Sequence, residues 1–283
     1  MFPATGEPRG SVVLSPGRTE PIEKYFEVIG DLTGRGLQVL VHDWRGQGLS
    51  QRTLPDRLRG HAGSYQDFLG DYRALLDQFG AGLPKPWIAL GHSMGGCLTL
   101  LALVKGERRF DAAILSAPML GLSLGHTPRL AALAMVGLNA LLGRTGELAL
   151  SAYDPMSELF EVDKLTHDRA RYERYKAQLR ACPELAIGAM TWGWLSFAFA
   201  ATGAIAAPGA LEPVDILVSI VAAGKDRLVL NAASRAAAAR LPHGRYVEVA
   251  GAYHELLMET DDKRDQFWTA FDALLAGLSS PPA

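Results

Sequence analysis

The chain has 283 residues, of which 48% are hydrophobic, and its 28 basic and 30 acidic residues give a formal net charge of −2. A chain of this length can bury a substantial core as one domain, or as one domain that carries an insertion. The balanced charge provides no basic surface of the kind that nucleic acids or anionic membranes bind, so charge predicts neither partner.

Cysteine usage and apolar runs indicate the compartment. Cys97 and Cys182 lie far apart and have no metal-ligand spacing, so neither a disulfide framework nor a zinc site is predicted. Residues 1–17 lack the pattern of a signal peptide. The apolar run at residues 130–142 is too short to cross a bilayer. We therefore expect a cytoplasmic protein without a transmembrane helix.

Short apolar runs, many of them β-branched, alternate with longer amphipathic segments along the chain. The runs predicted as strands are residues 12–14, 38–42, 87–90, 112–115, 216–221 and 246–249. The segments predicted as helices are residues 22–33, 65–78, 95–104, 232–241 and 262–278. This alternation predicts an α/β fold with a mostly parallel sheet and helices on both faces. Polar residues that follow the strands are the candidate site residues, because ligands bind at the carboxyl ends of such strands.

The sequence G-H-S-M-G at residues 91–95 follows the predicted strand 87–90 and opens a predicted helix. This is the context of a nucleophile elbow, in which a strained strand-to-helix turn exposes a serine. Gly91 and Gly95 are small enough for the strand and the helix to approach each other. Ser93 is therefore the candidate nucleophile, at a helix start whose N–H groups favour developing negative charge. A glycine-rich turn with an inactive serine is the alternative interpretation.

The alternation of strands and helices stops at residues 119–213. This segment contains apparent helices at residues 129–142 and 167–182 and is too long for a bare loop inside a sheet protein. We predict that it is a helical cap, inserted into a core that consists of residues 1–118 and 214–283.

A serine hydroxyl needs an adjacent base, and the base needs a carboxylate that orients it. In hydrolases with a nucleophile elbow, the chain order is serine, then the acid, then histidine. Of the seven histidines, His243 and His254 follow the predicted cap. His243 precedes the predicted strand 246–249 and would lie at the wrong end of the sheet. His254 follows this strand and is the candidate base.

Asp226 is the candidate acid because it follows the predicted strand 216–221. Asp215 opens the same strand and would lie at the opposite edge of the sheet, whereas Asp261 and Asp262 come after the histidine. The alternative interpretation of Asp226 is a turn or helix-capping aspartate.

With these residues placed, the chain resembles the monoacylglycerol lipase and bacterial lysophospholipase branch of the α/β-hydrolase superfamily, which includes serine aminopeptidases of the S33 type. The resemblance spans the predicted catalytic core and is weaker in the predicted cap. The segments that carry it are S-P-G-R at residues 15–18 with Glu20, H-D-W-R-G-Q-G-L-S at 42–50, G-H at 60–61, residues 91–96, and H-E-L at 254–256 with Glu259.

The resemblance implies an α/β-hydrolase fold and hydrolysis of a monoacyl lipid or related ester through an acyl-enzyme on Ser93, with no metal or organic cofactor. It also implies that the backbone N–H groups of Arg18 and Met94 form the oxyanion hole. Pro16 stands where many family members carry histidine, which leaves the backbone role of the loop intact. The segment at residues 42–50 is expected to brace the site.

Aromatic side chains are concentrated in the predicted cap, at Trp192, Trp194, Phe197 and Phe199. They are candidates for an acyl-chain pocket, and the alternative is that they form the core of the cap itself. The expected partner is a small-molecule ester or lipid, with peripheral membrane contact through the cap. The sequence does not predict an oligomeric state.

Other functions on the same fold stay open at this point. An aminopeptidase, or an esterase for small water-soluble esters, would place polar or acidic groups in the cap facing Ser93. A dehalogenase or epoxide hydrolase is disfavoured, since these enzymes carry aspartate at the nucleophile position. A binding protein without catalytic activity would lack part of the set Ser93, Asp226 and His254, and all three are present in the required order.

Overall fold

The structure is a computed structural model that describes residues 1–160 and 165–279. Its strands are β1 (Gly10–Ser15), β2 (Leu37–Val41), β3 (Trp87–His92), β4 (Ala112–Ser116), β5 (Leu217–Ala223) and β6 (Gly244–Val249). Within the described ranges they form one sheet in the order β2-β1-β3-β4-β5-β6, and each neighbouring pair is parallel. The predicted strands and the predicted parallel sheet are confirmed.

The helices are α1 (Phe26–Gly34), α2 (Tyr65–Phe79), α3 (Ser93–Val104), α4 (Arg129–Leu141), α5 (Arg169–Ala181), α6 (Trp192–Ala206), α7 (Asn231–Arg240) and α8 (Asp261–Ser279). The helix predicted at residues 22–33 begins as a short 3-10 turn, Ile22–Tyr25, and continues as α1. Helix α6 was not among the predicted helices. It buries side chains all around its axis, so its sequence lacks the one-sided apolar period that identifies an amphipathic helix.

Both faces of the sheet are covered, which explains why the strands are apolar throughout. In β1, Val13 packs into one hydrophobic cluster, whereas Val12 and Leu14 pack into the other. Side chains of a strand point alternately to opposite faces, so a strand buried on both faces needs apolar residues at every position. Helices α2, α3 and α7 cover the first face, and α1 and α8 cover the second.

The segment between β4 and β5 contains α4, α5 and α6, which are three helices attached to the core in different ways. Helix α6 packs into the same hydrophobic cluster as α2 and α3, whereas α4 leaves many of its apolar side chains exposed. Helix α5 is tied to α1 by ion pairs from Arg171 and Arg174 to Glu27. The division into a cap at residues 119–213 and a core therefore stays a prediction, because α6 shares its packing with the core. Among the described helices, none has the length and apolar character needed to cross a bilayer.

Candidate active site

Ser93 occupies a strained turn between β3 and α3. Its backbone has a positive φ of 50°, which is unfavourable for a residue with a side chain. The surrounding glycines make this turn possible. A Cβ atom on Gly91 would lie 2.7 Å from the Cα of Gly96, and a Cβ atom on Gly95 would lie 2.1 Å from the carbonyl oxygen of Ser15. The strand and the helix therefore approach too closely for any other residue at these two positions.

Ser93, His254 and Asp226 form one hydrogen-bonded row. Nε2 of His254 lies 2.9 Å from Oγ of Ser93, and Nδ1 of His254 lies 2.7 Å from Oδ2 of Asp226. The three residues follow β3, β6 and β5 at the carboxyl edge of the sheet. His243, in contrast, lies before β6 and pairs with Asp215 at 3.2 Å. The row of Ser93, His254 and Asp226 has the geometry in which an imidazole can take a proton from a serine hydroxyl.

Asp226 makes two kinds of contact, one with each carboxylate oxygen. Oδ1 accepts hydrogen bonds from the amides of Leu228 at 2.8 Å and Val229 at 3.0 Å, as a turn aspartate does. Oδ2 faces His254. Burial raises the pKa of Asp226, but the hydrogen bonds from His254 and from these amides outweigh burial and lower the pKa below its usual value. The carboxylate is therefore ionised at neutral pH and holds the proton of His254 on Nδ1, which leaves Nε2 free to accept.

The surroundings of His254 shift the pKa of its imidazole in opposite directions. Burial lowers its pKa, whereas the hydrogen bond and negative charge of Asp226, followed by the charges of Glu255 and Glu20, raise it, and the net direction is upward. A higher pKa makes the imidazole a stronger base towards the Ser93 hydroxyl.

The loop after β1 carries Arg18, whose amide is expected to be one oxyanion donor. Thr19 has a positive φ of 64°, so the loop is strained. Gln47 holds it from both sides, because its side chain accepts from the Thr19 amide at 2.7 Å and donates to the Gly17 carbonyl at 3.0 Å. Nε1 of Trp44 donates to the Pro16 carbonyl at 2.9 Å. The segment at residues 42–50 thus fastens this loop, as expected from the sequence.

The second expected donor, the amide of Met94, lies in the first turn of α3, where backbone N–H groups have no acceptor within the helix. The start of α3 packs directly against the loop after β1. A Cβ atom on Gly95 would lie 2.4 Å from the carbonyl oxygen of Pro16, so the two segments are in backbone contact. The two segments that carry the expected donors are therefore neighbours beside Ser93.

A buried ionic cluster lies beside the row of Ser93, His254 and Asp226. Nζ of Lys24 lies 2.7 Å from Oε1 of Glu20 and 2.6 Å from Oε1 of Glu255. The other oxygen of Glu20 accepts from the Gly17 amide at 2.7 Å and from the Tyr25 hydroxyl at 2.5 Å. Burial raises the pKa of Glu20, but the charge of Lys24 and the hydrogen bonds from Lys24 and Tyr25 lower it to about 2. The cluster connects the loop after β1 to the residue that follows His254.

Two members of this region were not identified from the sequence. Lys24 follows Glu20 by four residues, a spacing that hints at an ion pair. It lies in an amphipathic segment, however, where lysine is normally solvated, and only the fold buries it. Tyr175 of α5 donates to the Thr19 carbonyl at 2.6 Å, and its ring lies 4.7 Å from Nζ of Lys24. No local pattern indicates that contact, since 156 residues separate the partners.

A cavity of about 570 Å³ opens over Ser93 and His254. Apolar side chains form most of its wall, and a smaller polar part includes Arg18, Glu20 and Lys24. Among the described residues, no group of His, Cys, Asp and Glu side chains is arranged to hold a metal ion.

Three of the four aromatic residues proposed from the sequence line this cavity: Trp192, Trp194 and Phe199. Phe197 does not. It is 1% exposed, and its ring lies 4.9 Å from the ring of Phe68 in the core. Phe197 thus follows the alternative interpretation of a core residue, because α6 is buried on several sides and residues within one turn face either the cavity or the core.

The chain is similar to a known protein family and to known proteins. Residues 6–261 match the family described as "Serine aminopeptidase, S33". Lysophospholipase L2 of Escherichia coli strain K12 is 31% identical over 263 residues, which cover 89% of this chain and 76% of that protein. A monoacylglycerol lipase of Mycolicibacterium smegmatis is 29% identical over 260 residues, which cover 91% of this chain and 85% of that protein.

Solved structures give the same fold. A soluble variant of the monoglyceride lipase of Saccharomyces cerevisiae, in complex with a substrate analogue, superposes with a TM-score of 0.75 at 20% identity and covers 99% of this chain and 91% of its own. The monoacylglycerol lipase of Paleococcus ferrophilus gives a TM-score of 0.72 at 21% identity and covers 97% of this chain and 96% of its own. The fold is that of the α/β-hydrolases.

Proposed function

The chain belongs to the serine aminopeptidase S33 family of α/β-hydrolases, and we propose that it hydrolyses the carboxylic ester of monoacyl lipids. The observation that carries this proposal is the hydrogen-bonded row of Ser93, His254 and Asp226 at the floor of a cavity whose wall is mainly apolar. Such a wall suits an acyl chain, and the adjacent row suits the ester at its end. The relatives named for lysophospholipid and monoacylglycerol hydrolysis support the same substrate class.

The reaction begins when Nε2 of His254 removes the proton of the Ser93 hydroxyl while Oγ attacks the ester carbonyl carbon. The negative charge that develops on the carbonyl oxygen is held by the amides of Arg18 and Met94. Asp226 stabilises the imidazolium that forms. His254 then donates its proton to the leaving alcohol, the carbon–oxygen bond breaks, and the acyl group remains on Ser93.

The second half of the reaction uses the same groups. His254 removes a proton from a water molecule, and the resulting hydroxide attacks the acyl carbon of the acyl-enzyme. The tetrahedral intermediate places its negative charge on the same oxygen, next to the same two amides. The bond to Ser93 breaks as His254 returns the proton to Oγ, and the fatty acid leaves. The overall change is ester plus water to acid plus alcohol.

The charges in the cavity wall argue against an aminopeptidase. A peptide with a free amino terminus needs an unpaired carboxylate in the binding site. In the described part of the wall, Glu20 and Glu255 share Lys24, and Glu158 lies 3.1 Å from Nζ of Lys176. Each of these carboxylates lies within ion-pair distance of a lysine, although Glu20 and Glu255 share the same one, so no carboxylate in this part of the wall is left without a cationic partner.

The exposed side of α4 supports a peripheral contact with a lipid surface, which we include in the proposal. Leu130, Leu138 and Leu141 are 81%, 55% and 84% exposed. Ala132 and Met135 of the same helix line the cavity. A lipid surface that covers these leucines would lie next to the cavity entrance. Co-sedimentation with phosphatidylcholine vesicles tests this, and L130E together with L141E should weaken it. A cytoplasmic location and the absence of nucleic-acid binding remain predictions.

The function is tested by a series of p-nitrophenyl esters from acetate to palmitate, with a palmitoyl monoacylglycerol and a palmitoyl lysophospholipid in parallel. We expect the wild type to hydrolyse the esters and at least one of the lipids, and S93A to lose about a thousandfold or more of kcat. Circular dichroism of S93A should match that of the wild type. Failure of the wild type on all esters, or equal rates for S93A, would refute the proposal.

A further inference from the structure

Four lysine and arginine side chains line the described part of the cavity, and three of them are neutralised by carboxylates. Lys24 pairs with Glu20 and Glu255. Lys176 pairs with Glu158, and Arg171 pairs with carboxylates that include Glu27 and Asp168. The fourth side chain, Arg18, differs from the other three: within residues 1–160 and 165–279, no carboxylate lies within ion-pair distance of its guanidinium.

In the part of the chain that the structure describes, the partners of the Arg18 guanidinium are neutral groups. One terminal nitrogen, Nη2, donates to the carbonyl oxygen of Gly188 at 2.5 Å. The nearby Tyr153 side chain raises the pKa of Arg18, against the lowering by burial. Cζ lies 5.3 Å from the ring centroid of Trp194, which also lines the cavity. The Nε atom is buried and has no hydrogen-bond partner in the described residues.

A buried cation without a counter-charge is unusual, because removal of a charge from water is costly unless a partner compensates. Burial lowers the pKa of Arg18, but a guanidinium stays protonated at neutral pH. Arg18 therefore brings a positive charge to the cavity wall, and behind it lies a buried N–H donor, Nε, that has no partner in the described residues. An anionic oxygen of a ligand would satisfy both.

We propose that the side chain of Arg18 binds the phosphate of the substrate's head group, which makes the cavity selective for lysophospholipids over uncharged monoacylglycerols. This inference rests on the proposed ester hydrolysis of monoacyl lipids. A guanidinium can form two parallel hydrogen bonds to a phosphate, through Nε and a terminal nitrogen. Nε of Arg18 is the donor that lacks a partner.

The location of Arg18 agrees with the covalent structure of such a substrate. Its backbone amide is proposed to hold the oxygen of the ester carbonyl. In a lysophospholipid, the carbons of glycerol separate that ester from the phosphate. In Arg18, the aliphatic part of the side chain separates the amide from the guanidinium. One residue can thus contact both ends of the polar part of the substrate, the ester through its backbone and the phosphate through its side chain.

Arg18 also has a structural contact, since it ties the loop after β1 to Gly188. The test must separate this contact from recognition of phosphate. We would measure kcat/KM for palmitoyl lysophosphatidylglycerol and for the palmitoyl monoacylglycerol, both in neutral detergent micelles, and take the ratio of the two values. The ratio cancels any loss of folded or active protein, because both substrates are measured on the same sample.

The variants are R18Q, which removes the charge, R18K, which keeps it, and K176Q as a matched control. K176Q removes a positive charge from the same wall, but that charge is paired with Glu158. We expect R18Q to lower the ratio of lysophospholipid to monoacylglycerol turnover by about tenfold or more. R18K should recover part of the ratio, and K176Q should change it less than about twofold.

The outcomes separate this inference from the function on which it rests. If the wild type hydrolyses neither lipid, the proposed hydrolysis and the inference about Arg18 are both wrong. If it hydrolyses both lipids and R18Q leaves the ratio unchanged, the inference about Arg18 is wrong, whereas the proposed hydrolysis stands. If K176Q lowers the ratio as much as R18Q does, the effect comes from the overall positive charge of the cavity wall. The assignment of phosphate binding to Arg18 is then also wrong.

A free phosphate ion has the same chemistry as the lipid head group, so a second measurement distinguishes the two sources. Hydrolysis of p-nitrophenyl butyrate is followed in the presence of inorganic phosphate. Inhibition of the wild type but not of R18Q, together with an unchanged lipid ratio, would identify a site for free phosphate and overturn the head-group assignment. A lowered lipid ratio in R18Q, with or without such inhibition, supports it.

Discussion

Nζ of Lys24 lies 2.6 Å from Oε1 of Glu255, the residue that directly follows His254. The same ammonium lies 2.7 Å from Glu20, whose other oxygen binds the Gly17 amide in the loop after β1. One buried lysine thus joins the loop that is expected to hold the oxyanion to the loop that carries the base. The relative position of the two loops depends on this contact.

Substitution of Lys24 by methionine should destabilise the protein strongly. K24M leaves the carboxylates of Glu20 and Glu255 buried close together without a cation. A broken buried ion pair costs about 3–5 kcal/mol, and we expect the free energy of unfolding to fall by about this amount in urea titrations. The control is K85M, which removes the exposed ion pair between Lys85 and Asp111 and should cost less than about 1 kcal/mol. Equal effects of the two variants would contradict the prediction.

The effect of K24M should also depend on pH. The pKa of Glu20 is lowered to about 2 in the folded protein from the ordinary value of 4.5. A carboxylate with a lowered pKa stabilises the folded state above its unfolded pKa, and this contribution is lost as the pH falls through the folded pKa. The difference in stability between wild type and K24M should therefore be largest above pH 4.5 and shrink as the pH approaches about 2. A difference that grows on acidification would exclude this explanation.

The pH dependence of ester hydrolysis should follow His254, which acts only when its imidazole is neutral. Its pKa is raised above 6.5, with Asp226 as the main upward influence against burial. We therefore expect kcat/KM of the wild type to decline as the pH falls, with a midpoint above 6.5. D226N removes the negative charge that raises the pKa of His254, so the midpoint should move to lower pH. The value of kcat should fall by about three orders of magnitude. An unchanged midpoint in D226N would argue against the assigned acid.

Alanine at Gly95 should prevent correct folding of the elbow. The added Cβ atom would lie 2.1 Å from the carbonyl oxygen of Ser15 and 2.4 Å from that of Pro16, and neither backbone group can move without displacing β1 or its loop. We expect G95A to lose more than about 3 kcal/mol of stability, measured by the yield of folded protein and by thermal unfolding.

The matched control for G95A is G137A, the same substitution in a different helix. Gly137 lies within α4, and a Cβ atom there would have no neighbour within 4 Å. Alanine favours a helix interior over glycine by about 0.5–1 kcal/mol. G137A should therefore raise the unfolding temperature slightly. A loss of stability in G137A similar to that of G95A would mean that the clash at the elbow is not the cause.

Enlargement of Phe199 should shorten the acyl chain that the cavity accepts. Phe199 lines the cavity on α6, and tryptophan at this position would occupy space within it. We expect F199W to lower kcat/KM for p-nitrophenyl palmitate by about tenfold or more and to change that for butyrate less than about twofold. The control is F26W, the same change at a residue that is 51% exposed and lies outside the cavity lining. An unaltered chain-length profile in F199W would place the acyl chain elsewhere.

The sequence determined the parallel sheet and the positions of Ser93, Asp226 and His254, because these depend on local patterns. A strand buried on both faces is apolar at every position, and the elbow needs glycines at fixed positions around Ser93. The base and the acid follow strands, so the order of strands and polar residues along the chain was sufficient to place them at one edge. The choice of His254 over His243 followed from the same rule.

Only the tertiary structure decided the contacts that join distant segments. Lys24 is buried because loops after β1 and β6 close over it, and a lysine in an amphipathic segment gives no sign of this. Phe197 and Phe199 lie two residues apart on α6, yet one packs in the core and the other lines the cavity. Whether Arg18 has a carboxylate partner depends on where acidic residues from distant segments lie, and among residues 1–160 and 165–279 none lies within ion-pair distance. Local sequence fixes backbone geometry and polarity, whereas burial and pairing depend on partners that are far away in the chain.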